Sequence, residues 1–256
     1  MRCICVMGPS GAGKTALADG LARLEGEPSR EALGDGLELL RFRWHGEDWA
    51  AIDVPGAVEA LPDLRGALMA ADAAVIVVPP DPEAAVLAAP HLLAAEESHT
   101  PAIVFVNRMD EATARMRDVV EALQDYAAHA VVLRQVPIRG EDGAVTGAVD
   151  LVSERAWRWR DGGPSALIEI PAAVLDREHE AREALLEELS EFDDALLEAL
   201  VEEREPALGP LYDICARALA EGRAIPALFG AATHRSGLTR LAKALPVAGF
   251  CDAVPG

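Results

Sequence analysis

The chain has 256 residues, of which 51% are hydrophobic, and its formal net charge is −20. The apolar content is sufficient for the core of one large domain or of two small ones. The excess of acidic residues argues against binding of nucleic acid through a broad basic surface.

Neither a metal framework nor a membrane anchor is indicated. The four cysteines show no C-x-x-C or cysteine–histidine ligand spacing, so we expect reduced thiols in a cytoplasmic protein, without zinc or disulfides. The apolar run at the N-terminus is too short for a signal peptide. The longest apolar region, residues 67–80, is interrupted by Asp72 and too short to span a bilayer.

A phosphate-binding loop is predicted near the beginning of the chain. Residues 8–15 read GPSGAGKT, which fits the pattern G-x-x-x-x-G-K-[ST]. The apolar residues 3–7 predict a strand before this loop, and Leu17, Leu21 and Leu24 have helical spacing after it. In such a setting backbone N–H groups turn toward phosphate oxygens, and the helix N-terminus favours their negative charge.

This loop assigns roles to individual side chains. Lys14 is predicted to reach the β- and γ-phosphates as a catalytic residue, and the Thr15 hydroxyl to ligate Mg²⁺. Of the 23 basic residues only Lys14 and Lys243 are lysines. A chain that otherwise uses arginine therefore has lysine at position 14, where the phosphate-binding loop needs a compact ammonium. The residues predicted to contact phosphate are Gly8, Ser10, Gly11, Ala12, Gly13, Lys14 and Thr15.

Strands and helices alternate in the region that follows. After a polar, glycine-rich passage over residues 25–36, apolar runs predict strands at 37–44, 48–52, 73–78, 102–106 and 130–133. Helical spacing predicts helices at 64–70, 83–97 and 113–126. This alternation predicts right-handed crossovers and a mostly parallel sheet.

The pattern changes at about residue 137. Further segments are predicted in this order: a hairpin at 138–145, a strand at 149–159, an extended segment at 168–171, a long acidic helical region at 172–205, a helix at 211–221, a strand at 225–229 and a helix at 238–245. The predicted division is a domain of residues 1–135 and 223–245, an inserted subdomain of residues 136–222, and a tail or linker of residues 246–256.

A second motif follows the strand predicted at 48–52. Residues 53–56 read DVPG, which fits D-x-x-G. After a phosphate-binding loop, the Asp53 carboxylate is expected to hold the Mg²⁺ shell through water. The Gly56 N–H is expected to sense the γ-phosphate, which makes Gly56 a second candidate catalytic residue.

Two further segments predict which base is bound. Residues 107–110 read NRMD and are similar to the guanine-reading pattern N-K-x-D: Asp110 can accept N1–H and N2–H of guanine, Asn107 would tie the loop to residues 8–15, and the Arg108 stem would pack on the base. Ala231 and Ala232 are similar to a last guanine motif, in which the alanine N–H meets guanine O6. GTP or GDP with Mg²⁺ is therefore the predicted ligand. An ATP-using protein is the alternative, against which Asp110 argues.

These motifs, in this order, resemble the nucleotide-binding domain of bacterial elongation factor G, a translational GTPase. Residues 105–110, FVNRMD, resemble the family's F-V-N-K-M-D, and further segments have counterparts at 136–138, 147–152, 169–171, 191–193 and 226–232. The resemblance extends to about Leu245. It implies an α/β fold, namely a three-layer P-loop GTPase fold with a mostly parallel sheet and an inserted α+β subdomain, called G′ in that family. It also implies the ribosome as a candidate partner.

The chain departs from this family at two positions that concern hydrolysis. The family's D-T-P-G-H carries a histidine that positions the attacking water, and Ala57 stands in its place. The family's switch I threonine, which closes over Mg²⁺, has no counterpart, because no threonine lies between Thr15 and Asp53. Slow GTP hydrolysis is the prediction, and a nucleotide-gated binding module without significant turnover is the alternative.

The acidic helical region of the insertion has two interpretations. In the related factor this subdomain faces a ribosomal stalk protein, so the acidic face of residues 176–205 is a candidate docking surface. The leucines of the region recur at three- and four-residue steps, which favours a helix pair that covers its own small sheet.

Overall fold

The computed structural model describes residues 1–34, 36–56, 61–160 and 163–245. Ala57 and the tail predicted at 246–256 lie outside the described residues. The strands in these ranges are β1 (Arg2–Met7), β2 (Ser29–Gly34), β3 (Leu37–Trp44), β4 (Glu47–Asp53), β5 (Ala73–Val78), β6 (Ala102–Val106), β7 (Ala130–Leu133), β8 (Gln135–Arg139), β9 (Val145–Asp150), β10 (Arg155–Arg160), β11 (Gly163–Ile168) and β12 (Ala224–Phe229). The α-helices are α1 (Lys14–Ala22), α2 (Leu61–Met69), α3 (Pro82–Ala85), α4 (Ala89–Glu97), α5 (Met116–Gln124), α6 (Ala172–Ser190), α7 (Asp194–Val201), α8 (Leu208–Ala220) and α9 (Leu238–Ala244).

The larger sheet carries the predicted motifs. Its strand order is β2-β3-β4-β1-β5-β6-β12-β7, and all pairs from β4 to β7 are parallel, whereas β2, β3 and β4 pair antiparallel. The carboxyl ends of parallel strands meet at one edge of a sheet, where ligands bind in open α/β folds. The loops that follow β1, β4, β6 and β12 therefore share this edge. The predicted α/β class and the mostly parallel sheet are confirmed.

Helices cover the larger sheet on both faces. On one face, Leu64, Leu92 and Val119 of α2, α4 and α5 pack with strand residues such as Ile76. On the other face, leucines of α1 and α9 pack with the alternate residues of the same strands. The strands β5 and β6 are buried along their whole length, which is why they read as continuous apolar runs.

A second, antiparallel sheet has the order β11-β10-β9-β8. Leu185 and Leu189 of α6, together with Leu211 and Ile214 of α8, form a separate cluster with this sheet. The leucine stripe of the acidic region therefore faces its own sheet.

Several element boundaries differ from the predictions. The passage at 25–36 contains β2, whose six residues are all exposed, so no apolar alternation marked it. The helix predicted at 83–97 is broken into α3, a 3₁₀ turn and α4, and Pro90 lies in the first turn of α4, where a missing N–H is tolerated. The strand predicted at 149–159 contains a turn after Asp150, whose carboxylate accepts hydrogen bonds from the backbone N–H groups of Val152 and Ser153.

Three further boundaries shift by a few residues. The helix predicted at 211–221 begins at Leu208, so Pro210 lies inside its first turn. The acidic region consists of two helices, α6 and α7, and the Asp193 carboxylate caps the second by accepting from the Leu196 N–H at 3.0 Å. The helix predicted at 113–126 spans Met116–Gln124. In the part of the chain that the structure describes, no helix has the length and apolarity needed to cross a bilayer.

Candidate nucleotide-binding site

The loop between β1 and α1 needs glycine at two positions. Gly8 has φ of +141°, and a Cβ there would lie 2.2 Å from the Val77 carbonyl oxygen of the neighbouring strand. Gly13 has φ of +90°, and its Cβ would lie 2.3 Å from Nδ2 of Asn107. Both positions combine a left-handed or strained backbone with close contact, which only glycine accepts. The loop thereby turns its backbone tightly into the N-terminus of α1.

Lys14 is held against this loop. Its ammonium donates a hydrogen bond to the Pro9 carbonyl oxygen at 3.0 Å, and the residue is only 7% exposed. Burial lowers the pKa of Lys14, and the nearby Asp53 carboxylate opposes this effect in part. A partly desolvated cation at a helix N-terminus is poised to bind a phosphate group.

Thr15 and Asp53 meet beside Lys14. The Thr15 hydroxyl donates to Oδ2 of Asp53 at 2.6 Å, because β1 and β4 pair in parallel and bring the end of β4 to the start of α1. Burial raises the pKa of Asp53, while the Thr15 hydrogen bond and the Lys14 charge act in the opposite direction. One hydroxyl and one carboxylate at this place fit Mg²⁺, which usually takes its remaining ligands from phosphate and water.

Gly56 approaches the same loop. A Cβ at this position would lie 2.4 Å from Nζ of Lys14 and 2.6 Å from the backbone nitrogen of Ser10. The backbone after β4 therefore lies directly against the phosphate-binding loop, and the contact of Gly56 with a γ-phosphate stays a prediction.

Asn107 joins three separate segments of the chain. It is buried, its Nδ2 donates to the Ala12 carbonyl oxygen at 2.9 Å, and its Oδ1 accepts from the Ala232 N–H at 2.9 Å. The predicted tie between Asn107 and the phosphate-binding loop is present in the structure. In this arrangement the Ala232 N–H is already bonded to Asn107, and its contact with guanine O6 stays a prediction. The Ala231 N–H donates to the Ser236 carbonyl oxygen.

Asp110 presents a carboxylate that fits a base with two donors. It lies in a 3₁₀ turn (Met109–Glu111) that is attached to the next loop, since the Met109 N–H donates to the Gly230 carbonyl oxygen at 3.0 Å. Its Oδ1 is buried and has no hydrogen-bond partner among the described residues. Its Oδ2 lies 3.5 Å from Nε2 of His234. A buried acceptor of this kind is costly unless a ligand satisfies it, and guanine offers N1–H and N2–H.

Arg108 precedes this turn with a left-handed backbone. Its φ is +60° and its side chain is exposed. The long stem is thus available to cover a base bound at Asp110.

Three residues near this site carried no signal in the sequence. His234 touches the Asp110 carboxylate, and Arg139 is bonded to the segment that follows it. His91 lies in the Ala/Leu-rich helix α4, is 7% exposed, and has no hydrogen-bond partner for Nδ1 among the described residues. Burial and, to a smaller degree, the Lys14 charge lower the pKa of His91 to about 4. Only the folded arrangement brings these side chains near the predicted motifs.

Removing the Asn107 amide should weaken both folding and nucleotide binding. Asn107→Ala leaves the Ala12 carbonyl and the Ala232 N–H without partners, at a cost of about 2–3 kcal/mol in the free energy of unfolding. We also expect at least a roughly tenfold loss of GDP affinity. Urea unfolding and GDP titration measure the two effects. Ser98→Ala removes the bond to Ala94 elsewhere and should leave GDP binding unchanged; equal effects of both variants would contradict the prediction.

Acidification should destabilise the folded chain through His91. Its folded pKa of about 4 lies below the usual 6.5, so the unfolded chain binds the extra proton between these values. The free energy of unfolding therefore falls as pH drops from 6.5 toward 4, by roughly 3 kcal/mol. Urea unfolding at several pH values measures this slope. His91→Leu should flatten it, whereas replacement of the exposed His129 by glutamine should not; a slope unaffected by His91→Leu would argue against this origin.

Comparison with known proteins identifies the family. The sequence-family model of the elongation factor Tu GTP-binding domain matches residues 36–247 of this chain. The chain belongs to this family. It is a GTP-binding domain of the kind found in translational GTPases, and the resemblance seen in the motifs is confirmed.

Individual relatives of this family agree with the assignment. An elongation factor G-like protein from Synechocystis sp. (strain ATCC 27184 / PCC 6803 / Kazusa) is 30% identical over 261 residues, which cover 94% of this chain and 39% of that protein. A crystal structure of a protein from Thermus thermophilus has a TM-score of 0.80 at 23% identity, covers 100% of this chain and 40% of its own, and supports the fold. The chain thus spans about two fifths of the length of these relatives.

Proposed function

We propose that the chain binds GTP and GDP with Mg²⁺ and hydrolyses GTP slowly, in the cytoplasm. Two observations support this proposal. Asn107 joins the phosphate-binding loop to the loop after β12, and Oδ1 of Asp110 has no hydrogen-bond partner in the described part of the chain. The residues proposed to bind nucleotide and Mg²⁺ are Gly8, Ser10, Gly11, Ala12, Gly13, Lys14, Thr15, Asp53, Gly56, Asn107, Arg108, Asp110, Ala231 and Ala232.

Guanine selectivity is tested by competition. A labelled GTP analogue bound to the chain should be displaced by GDP at far lower concentration than by ATP, because adenine offers no donor at N1 to the Asp110 carboxylate. Displacement by ATP that equals displacement by GDP would support the ATP-using alternative.

The proposal of slow turnover rests on two positions at which the sequence departs from the family, and not on the phosphate-binding loop. Ala57 has no side-chain group that orients water, and no threonine lies between Thr15 and Asp53 to close over the metal. Groups that orient water or stabilise the transition state account for large rate factors in GTPases. We therefore propose weak hydrolysis on an intact binding site.

Single-turnover experiments with and without ribosomes measure the rate of GTP hydrolysis directly. A rate equal to that of free GTP under both conditions would favour the second candidate, a nucleotide-gated binding module, to which the same two departures point. Ala57→His should raise the rate at least about tenfold if the remaining site is competent. Ala57→Gly is the matched control, since it also changes the backbone at this position but supplies no imidazole.

We also propose the division into residues 1–135 with 223–245 and an inserted subdomain of residues 136–222. The separate antiparallel sheet and its cluster with α6 and α8 support it. A ribosomal partner is proposed from the family alone, and co-sedimentation with ribosomes in the presence of a non-hydrolysable GTP analogue tests it.

A further inference from the structure

Arg139, at the end of β8, is bonded to the segment that follows Asp110. Its Nη1 donates to the Ala112 carbonyl oxygen at 2.8 Å, and its Nη2 donates to the Ala114 carbonyl oxygen at 2.8 Å. Nη1 also donates to the Gly143 carbonyl oxygen at 2.7 Å. One guanidinium thus connects the β8–β9 hairpin to the loop between β6 and α5.

The bonded segment begins where the turn that carries Asp110 ends. Ala112 is the C-terminal cap of the 3₁₀ turn Met109–Glu111, and its N–H donates back to the Met109 carbonyl oxygen at 3.3 Å. The position of the Ala112 peptide therefore bears directly on the orientation of Asp110. Among the described residues, the hydrogen bonds of Arg139 go to Ala112, Ala114 and Gly143 and not to the phosphate-binding loop, so we expect any effect on a ligand to pass through this turn.

Apolar packing supports the same junction. Val145 and Ala148 of β9 lie in one buried cluster with Met109, Ala112 and Met116. The hairpin thus packs in the same cluster as the turn, while Arg139 bonds the Ala112 and Ala114 carbonyl oxygens, which come directly after the turn. The turn and the segment after it are therefore joined to the second sheet by both apolar packing and hydrogen bonds.

Arginine is specifically suited to this connection. Its planar fork presents several donors in fixed directions, so one side chain can bond three carbonyl oxygens from two segments. The bonds to Ala112 and Ala114 are partly buried, where charge-assisted hydrogen bonds are stronger than in water. A lysine has a single ammonium and cannot reproduce this fork.

We propose that Arg139 is a positioning residue through which the β8–β9 hairpin fixes the Asp110 carboxylate for reading the guanine 2-amino group. The inference rests on the proposed guanine-nucleotide function. A correctly oriented carboxylate accepts both N1–H and N2–H of guanine, whereas a misplaced carboxylate keeps only one of these bonds. Arg139 therefore sets the discrimination between guanine and hypoxanthine, which lacks the 2-amino group.

The test compares the affinities for GDP and for inosine diphosphate (IDP) in the wild-type chain and in three variants. Arg139→Ala should weaken GDP binding about tenfold and IDP binding much less. The ratio of the affinity for GDP to the affinity for IDP should therefore fall. Arg139→Lys should resemble Arg139→Ala rather than the wild type. Arg158→Ala is the matched control, because Arg158 is an exposed arginine of the same sheet.

Each result bears on a separate claim. An equal loss of GDP and IDP affinity in Arg139→Ala would show a general structural role and would overturn the inference, as would an unchanged ratio. A double variant completes the test: in an Asp110→Ala background, Arg139→Ala should no longer alter the ratio, and a persisting effect would also overturn it. A wild-type chain that binds GDP no better than IDP would instead refute the guanine site itself.

Discussion

Asp110→Asn should change the preferred base from guanine to xanthine. The wild-type carboxylate is expected to accept N1–H and N2–H of guanine, since none of the residues that the structure describes bonds its Oδ1. An asparagine amide retains one acceptor but places a donor against the 2-amino group, which leaves two donors facing each other. Xanthine carries an oxygen at that position and therefore fits the amide. We expect GDP affinity to fall about 100-fold or more, since hydrogen bonds to charged groups contribute roughly 1.5–3 kcal/mol each.

The measurement is a pair of titrations with GDP and xanthosine diphosphate (XDP). The wild-type chain should prefer GDP, and Asp110→Asn should prefer XDP. Glu111→Gln is the matched control, because it removes the neighbouring exposed carboxylate and should preserve the preference for GDP. If Asp110→Asn lowers the affinities for GDP and XDP equally and the preference for GDP is not reversed, Asp110 supports the loop but does not read the base.

Lys14→Ala should abolish tight nucleotide binding without destabilising the fold. The ammonium lies against the phosphate-binding loop, where it donates to the Pro9 carbonyl oxygen. Its loss removes a charge-assisted contact to phosphate, and we expect GDP and GTP affinity to fall about 100-fold or more. Burial lowers the pKa of Lys14, which means that the charged form is disfavoured in the folded chain. The unliganded variant should therefore melt at the same temperature as the wild type or higher.

Thermal unfolding with and without GDP separates these two effects. The wild-type chain should show a ligand-dependent rise in Tm, and Lys14→Ala should lose that rise while keeping its unliganded Tm. Lys243→Ala is the control, since Lys243 is the other lysine of the chain and lies exposed on α9. A Lys14→Ala variant that still gains the full ligand-dependent rise would exclude Lys14 from phosphate binding.

The sequence predicted what depends on local signals. The loop at residues 8–15, its flanking strand and helix, and the apolar strands β5 and β6 were recognisable because glycine spacing and apolar runs act within about ten residues. The edge strand β2 was not predicted, because its residues are exposed and its pairing with β3 supplies the order. The break in the helix predicted at 83–97 could have been expected from the sequence, because Pro90 lies inside that range and a proline in a helix interior breaks the helix.

In the candidate site, too, contacts between residues that are distant in sequence could not be predicted. Motif spacing pointed to Asp53, Asn107 and Asp110, but it gave no reason to connect Asp110 with His234 or with Arg139. These contacts join residues that are distant in sequence and depend on how β12 and the β8–β9 hairpin are placed. The hydrogen bond between the Ala232 N–H and Asn107 was likewise outside the reach of pattern reasoning.

The position of β12 has a consequence for biosynthesis. This strand lies between β6 and β7, although β7 leaves the ribosome before the whole inserted sheet and β12 after it. Asn107 accordingly waits for Ala232, 125 residues later. At about 5–20 residues per second, synthesis leaves β6 with an open edge on the order of ten seconds. We therefore expect the proposed nucleotide site to be complete only after β12 has emerged, when the inserted sheet has already been synthesised.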